Sequence, residues 1–223
     1  ELANKNLTYL HMWGEYLKKV SDESEIRDYI DKAQEEAGFL YFYFLSADGN
    51  YKMLTGETGY LGLQENLEDK IAQGEDIITN AVVPGKPQML VFASPQSHGS
   101  YQGFEYDAIA IAYENADIVD VLDISAFNGN AKSYVVHPDG RVVIDHSFEA
   151  WGTVYNFFGV LREHSNISEK EILELSEKFK ERRTDTMLVN LDGSNYYLVY
   201  GSSECQDWIF LGLVQADIVN ASM

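Results

Sequence analysis

The sequence predicts an α+β fold made of two similar units, each an antiparallel sheet flanked by helices, behind a long N-terminal helix. Asp-Gly pairs at 48–49, 139–140 and 192–193 each separate two short apolar runs, which is typical of β-hairpins. Apolar residues recur at helical spacing through the first 37 residues. A stretch that begins at residue 107 is partly repeated at residue 207. These observations together indicate a duplicated unit.

Residues 1–37 predict either one long bent helix or two helices in series. Asp22 and Glu25 have the capping-box spacing of a helix start, and Gly38 is a typical helix end. An apolar stripe precedes them, made of Leu7, Leu10, Trp13, Leu17 and Val20. The stripe could pack against the chain's own units or form the seam of a parallel homodimer, and the sequence leaves both open.

The first predicted unit covers residues 38–116. Its aromatic stretch FLYFYFLS, the turn ADGN and the return YKMLTG predict a hairpin. LQENLEDKIAQG predicts a short amphipathic helix, and PQMLVFASPQ and YDAIAIAYE predict two further strands. ADIVDVLDISAFNG then predicts a connecting helix over residues 117–129, because its apolar residues have helical spacing up to Gly129.

The second predicted unit covers residues 130–223. KSYVVHPDGRVVIDHS predicts a hairpin in which Pro138 and Gly140 suit a type I turn. Residues 153–183 predict helix, with a second capping-box pair at Ser168 and Glu171. TMLVNLDGSNYYLVYGSS and DWIFLGLVQADIV predict the closing strands.

The repeat aligns DAIAIAYENADIVDV at 107–121 with DWIFLGLVQADIVNA at 207–221, an offset of 100. Identical residues stand at 107, 109 and 116–119 and at their counterparts. The first hairpin turns of the two units are offset by 91. Each unit therefore has the order strand, strand, helix, strand, strand.

Composition excludes several classes of function. The chain has 36 acidic and 16 basic residues and a net charge of −20, which argues against nucleic-acid binding and against lying on an anionic membrane. Its single cysteine, Cys205, rules out an internal disulfide. No apolar run approaches the ~20 residues that a transmembrane helix needs.

No catalytic or cofactor motif is evident. The glycines of TGETGYLG lack the dinucleotide-binding spacing, and no Gly-x-Ser-x-Gly elbow occurs. The five histidines have no metal-ligand spacing; they are His11, His98, His137, His146 and His164. We therefore expect no catalytic residue, no metal and no cofactor.

Aromatic residues are concentrated in the first unit, where tyrosine offers a flat apolar face with a polar tip. A small-molecule pocket on the sheet of this unit is the leading hypothesis. The candidate ligand-binding residues are Tyr43, Tyr60, Phe92, Ser94, Tyr106 and Asp107.

The order of these elements resembles the double Cache family, the PAS-like extracellular sensor domains of bacterial transmembrane receptors. The stretches AFNGNAKSYVVHPDGRVVIDHS and DWIFLGLVQADIV carry the resemblance most specifically. It implies a helix and two PAS-like modules on the extracellular or periplasmic face, between two membrane-spanning helices outside this sequence. It also implies that a membrane-distal module (38–116) binds the ligand and a membrane-proximal module (130–223) relays the signal. The cytoplasmic output in the family is a histidine kinase, a diguanylate cyclase or a chemotaxis signalling domain.

The sequence departs from the family's amino-acid-binding members at one point. Those members carry an Arg, Trp and Tyr cluster in the distal module, whereas residues 38–129 contain neither Arg nor Trp. A ligand here would be uncharged or cationic, or there would be none. The alternatives to a sensor are a non-catalytic interaction module that only dimerises and a soluble cytoplasmic α+β enzyme.

Overall fold

The computed structural model describes residues 2–63, 66–82, 88–114, 118, 131–146, 151, 154–203 and 207–221. The chain divides into two compact units, residues 1–118 and 119–223. The predicted connecting helix lies outside the described residues except for Ile118, and so does Cys205. The finer division at 38, 117 and 130 stays a prediction.

The N-terminal region forms two helices in series, α1 (Leu2–Leu17) and α2 (Glu23–Ala37). Asp22 begins α2, since its side chain accepts hydrogen bonds from the backbone N–H groups of Ser24 and Glu25. Gly38 ends α2 in the left-handed region at φ 73°, where glycine is favoured. The predicted cap and stop are both confirmed.

The apolar stripe of α1 packs on the sheet of its own unit. Leu10, Trp13 and Leu17 are buried. The ring of Trp13 lies 5.5 Å from that of Phe39 and 6.4 Å from that of Phe42. Of the two roles that the sequence left open for this stripe, packing within its own unit accounts for these three residues, and the homodimer stays a prediction.

After α1 and α2, the described residues of the first unit form a short helix and a sheet of seven strands. The helix is α3 (Leu67–Gln73), as predicted. The strands are β1 (Tyr41–Leu45), β2 (Asn50–Met53), β3 (Thr58–Tyr60), β4 (Gly62–Leu63), β5 (Ile77–Val82), β6 (Met89–Tyr101) and β7 (Phe104–Glu114). They are antiparallel in the order β3-β2-β1-β7-β6-β5-β4. Only Leu61 separates β3 from β4, so the two edge strands of the sheet are joined directly by the chain.

The two faces of this sheet have different neighbours. We call the face that carries Tyr43, Leu45 and Ala108 the inner face, since it shares a buried cluster with Leu67 of α3. The opposite face, here the helix face, packs against α1. Its residues include Phe42, Phe44, Phe92, Ile109 and Ile111.

The second unit has three helices and a five-stranded antiparallel sheet among its described residues. The helices are α4 (Phe157–His164), α5 (Glu169–Lys180) and α6 (Ala216–Ala221). The strands are β8 (Ala131–Val136), β9 (Val142–His146), β10 (Asp185–Leu191), β11 (Ser194–Ser202) and β12 (Ile209–Gln215), in the order β10-β11-β12-β8-β9. The predicted capping box of Ser168 and Glu171 is present at the start of α5.

The duplication is confirmed by the order of the strands. In each unit the first hairpin lies beside the last strand, which lies beside the next-to-last strand. The first hairpin turns also match: the N–H of Gly49 donates to the carbonyl of Ser46, and the N–H of Gly140 donates to that of His137. Both hairpins therefore use the same turn.

The predicted offset of 100 between the last strands is wrong by one residue. Leu45 pairs with Ala108, whereas Val136, its counterpart at the hairpin offset of 91, pairs with Ile209. The structural offset is therefore 101. Because side chains alternate between the faces of a strand, Ile109 lies on the helix face, while Ile209 lies in the core of the second unit.

Candidate functional site

The inner face of the first sheet has a floor of small side chains. Tyr43 pairs with Ala110, which pairs with Ala93, so aromatic and methyl groups lie side by side across β1, β7 and β6. Ala108 and Ala112 extend this floor along β7.

The equivalent face of the second unit carries large apolar side chains in place of the alanines. At the structural offset of 101, the counterparts of Ala108, Ala110 and Ala112 are Ile209, Leu211 and Leu213. These three lie in a core with Phe157 and Leu161 of α4 and with Ile172, Leu175 and Phe179 of α5. The first unit therefore has a lower floor where the second has large apolar side chains, and we take its inner face as the candidate site.

Tyrosine rings form one wall of the inner face. The ring of Tyr43 lies 5.9 Å from that of Tyr41 and 4.8 Å from that of Tyr51. Gly59 allows Tyr51 to cross the backbone of β3, since a Cβ at Gly59 would lie 2.7 Å from the Tyr51 hydroxyl. That hydroxyl donates to Oε1 of Glu57 at 3.4 Å. The wall thus combines aromatic faces with one carboxylate.

The hydroxyls of Tyr43 and Tyr51 remain protonated donors. Burial, followed by the neighbouring Tyr51, raises the pKa of Tyr43 well above its ordinary value. Burial and then the charge of Glu57 raise the pKa of Tyr51. The Tyr43 hydroxyl contacts Sδ of Met89 at 4.0 Å, and a thioether is only a weak acceptor. A ligand oxygen would be a better partner for this buried hydroxyl.

The six predicted site residues do not converge. Tyr43 alone belongs to the inner-face cluster. Phe92 and Ser94 pair with Ile111 and Ile109 and so lie on the helix face. The Tyr106 ring lies near the helix face too, 4.9 Å from Phe44.

The remaining two predicted residues lie near the first hairpin turn. Oδ2 of Asp107 accepts a hydrogen bond from the Ala47 N–H at 3.0 Å, so this carboxylate braces the turn. Tyr60 is 63% exposed. It lines a small cavity of about 230 Å³ between that turn and the start of α3.

Sequence reasoning missed the alanine floor. The signal was present in AIAIA at 108–112, where alanine and isoleucine alternate. Alternation of small and large residues along one strand predicts one face with room and one packed face. A search restricted to polar and aromatic residues passes over alanine.

The described residues offer neither a metal site nor a membrane-spanning helix. They contain no group of three or more His, Cys, Asp or Glu side chains placed to hold a metal ion. None of their helices is long and apolar enough to cross a membrane.

Solved structures identify the fold. The extracellular domain assigned to the histidine kinase mmHK1S-Z3 matches 98% of this chain and 89% of its own, with 12% identity and a TM-score of 0.66. The chain has the fold of an extracellular sensor domain. This confirms the fold class implied by the resemblance to double Cache domains.

Two chemoreceptor domains of Pseudomonas aeruginosa match as widely. The ligand-binding domain of the amino-acid chemoreceptor PctB, in complex with L-Arg, is 13% identical with a TM-score of 0.61 and covers 100% of this chain and 92% of its own. The ligand-binding domain of the amino-acid chemoreceptor PctC, in complex with GABA, is 14% identical with a TM-score of 0.60. It covers 96% of this chain and 92% of its own. No protein-family model and no curated protein sequence matches the chain.

Proposed function

We propose that this chain is the ligand-sensing part of a bacterial membrane receptor and lies on the extracellular or periplasmic face of the cell. The observation that carries the proposal is the contrast between the inner faces of its two units. The first unit keeps a low alanine floor where the second has large apolar side chains, and we infer a ligand site in the first unit from this difference. The likeness in fold to sensor domains of histidine kinases and chemoreceptors supports this reading.

The ligand we propose is an uncharged or cationic small molecule. Recognition of a carboxylate usually uses the bidentate fork of an arginine. The first unit has one arginine, Arg27, and its Nη2 donates to the Leu54 carbonyl at 2.9 Å. The inner face instead offers tyrosine rings, protonated hydroxyls and the Glu57 carboxylate, which suit hydrogen bonding and cation–π contact.

Binding on the inner face would change the unit through α3 and the strands that surround the site. A sensor switches only if the ligand has different affinities for two states. We propose that the filled second unit takes no ligand and relays the change toward membrane-spanning helices outside this chain. The output domain would be a histidine kinase or a chemotaxis signalling domain.

A thermal-shift screen of amines, neutral metabolites and amino acids tests the proposal. A ligand at about 100 times its Kd adds about 2.7 kcal/mol of stability, which raises Tm by roughly 5 to 11 °C for a chain of this size. Calorimetric titration of each hit then gives its Kd.

The substitution Ala110→Leu locates the site. It places on the inner face the residue that the second unit already has at this position, Leu211. We expect a folded protein that no longer binds the ligand, because the added side chain occupies the ligand's space. Ala72→Leu, on the exposed surface of α3, is the matched control and should bind normally.

Tyr43→Phe tests the same site without the risk that an added leucine side chain disrupts folding, since it removes one hydroxyl and adds no volume. We expect it to weaken binding about 3- to 10-fold, the effect of one hydrogen bond. Unchanged affinity in both Ala110→Leu and Tyr43→Phe would place the ligand elsewhere and refute the proposal.

A further inference from the structure

A second cavity of the first unit lies on the helix face, apart from the candidate site on the inner face, and of the six predicted site residues Tyr106 lines it. Its volume is about 450 Å³, within the range of small-molecule pockets. Leu17 of α1 and Glu23 and Ile26 of α2 form one wall. The hairpin between β6 and β7 forms the other.

Two local features create this space. The register of β6 against β7 shifts between Pro95 and Gly99, a bulge that bends the strand away from regular pairing. The chain also leaves helical geometry between Leu17 and Glu23, where α1 ends and α2 begins. The cavity occupies the gap between the bent strand and the helix junction.

The floor of the cavity is aromatic and rigid. The rings of Phe44 and Tyr101 stack at 4.3 Å, and the Tyr106 ring lies 4.9 Å from Phe44. Gly99 permits the position of Tyr106, since a Cβ there would lie 2.4 Å from its ring. These contacts hold the Tyr106 ring in place at the base of the cavity, against the buried rings of Phe44 and Tyr101.

The hydroxyl of Tyr106 is the group that lacks a partner. Tyr106 is only 7% exposed, and it lines the cavity. In the described part of the chain its hydroxyl forms no hydrogen bond, and burial alone raises its pKa. A hydroxyl that lines a cavity and has no partner in the described protein is available to hydrogen-bond a ligand there.

The charged side chains around the cavity already have partners of their own. Lys18 pairs with Glu15 at 2.5 Å, and His98 pairs with Glu105 at 2.7 Å. Oε2 of Glu23 accepts a hydrogen bond from Gln102 at 3.1 Å.

Hydroxyl groups complete the lining, from Ser21, Ser97 and Ser100. A lining of hydroxyls, in which Lys18 and His98 have ion-pair partners and Glu23 has a hydrogen-bond partner, favours an uncharged ligand with many hydrogen-bonding groups.

We propose that this cavity is a second small-molecule site, which takes an uncharged, hydroxyl-rich ring compound of monosaccharide size. Such a ring would pack against Tyr106, and its hydroxyls would bond to the Tyr106 hydroxyl and the serines. The ligand would contact the end of α1 and the start of α2 directly. Its binding would therefore favour one arrangement of the helix junction, independently of the inner face.

The test is calorimetric titration of the whole chain with D-glucose, D-galactose, D-ribose and myo-inositol. D-Glucosamine and D-glucuronate serve as cationic and anionic analogues of similar size. We expect at least one neutral compound to bind, and its charged analogues to bind at least tenfold more weakly. Binding by none of the four neutral compounds, or equal binding of the charged analogues, would overturn the proposal.

Tyr106→Phe places the ligand in the cavity. It keeps the ring on Phe44 and removes the hydroxyl, so we expect about 3- to 10-fold weaker binding with unchanged folding. Tyr155→Phe, at an exposed tyrosine of the second unit, should bind as the unmodified chain does. Ala110→Leu should also leave this binding intact, which separates the cavity from the inner face. Equal affinity in Tyr106→Phe, or loss of binding in Ala110→Leu, would refute the assignment.

Discussion

The hydroxyl of Tyr113 fastens α1 to the first sheet, and its removal should loosen that helix. It donates to Oδ1 of Asn6 at 2.9 Å and also lies 3.2 Å from the Ala37 carbonyl. Burial raises the pKa of Tyr113 to about 12, so the hydroxyl keeps its proton and remains a donor. Asn6 is 1% exposed, and its Nδ2 has no hydrogen-bond partner among the described residues. The Tyr113 hydroxyl thus satisfies the oxygen of the Asn6 amide.

Tyr113→Phe would leave the whole Asn6 amide buried without a partner. Leaving a buried polar group unsatisfied costs about 1–3 kcal/mol, so we expect the free energy of unfolding of the first unit to fall by that amount. Replacing both partners by apolar groups of similar shape is close to neutral. The double variant Asn6→Leu/Tyr113→Phe should therefore recover most of the loss.

Fluorine NMR during urea unfolding measures this change at the helix itself. The chain has three tryptophans, and Trp13 on α1 is the one in the first unit, so 5-fluorotryptophan labelling gives a separate signal for α1. Tyr155→Phe, at an exposed tyrosine, is the control and should change stability by less than about 0.5 kcal/mol. The reasoning fails if Tyr113→Phe behaves like this control, or if the double variant is no more stable than Tyr113→Phe.

Two further predictions concern the second unit. Ser168→Ala should destabilise α5 by about 1 kcal/mol in chemical denaturation, because it removes the capping box with Glu171, and an unchanged denaturation midpoint would contradict this. Hydrogen bonds from Trp151 and then His164 lower the pKa of Asp192 in the folded protein. The ionised Asp192 therefore stabilises the fold above the ordinary carboxyl pKa of about 4. This stabilisation is lost as pH falls through the lowered pKa of the folded state. Asn tolerates the positive φ of 49° at position 192, so Asp192→Asn tests the charge alone. The melting temperature of this variant should approach that of the unmodified chain as pH falls from about 6 to about 3. A difference in melting temperature that stays constant with pH would refute the linkage.

The sequence determined the local features of the fold because they depend on residues only a few positions apart. The caps at Asp22 and Ser168, the stop at Gly38 and the Asp-Gly turns are each set by short-range hydrogen bonds and backbone preferences. Alternating or dense apolar residues marked most of the strands, and the repeated hairpin and last strand indicated the duplication.

The sequence did not predict the strand register, and it therefore did not predict which residues lie together in the candidate site. The identities at offset 100 were real, yet pairing across the sheet placed the last strands at offset 101. A shift of one residue moves every side chain of a strand to the other face. Of the predicted site residues, Tyr43 therefore belongs to the inner-face cluster, while Phe92 and Ser94 lie under α1.

Only the tertiary structure decided which face carries the alanine floor and where the second cavity lies. The alanine floor is recognised as unusual only because Leu211 and its neighbours occupy the equivalent positions in the other unit. The second cavity depends on a bulge in β6 that meets a helix junction about 80 residues earlier in the chain. Packing between distant segments sets both the alanine floor and the second cavity. That packing follows from long-range contacts that no local pattern of residues encodes.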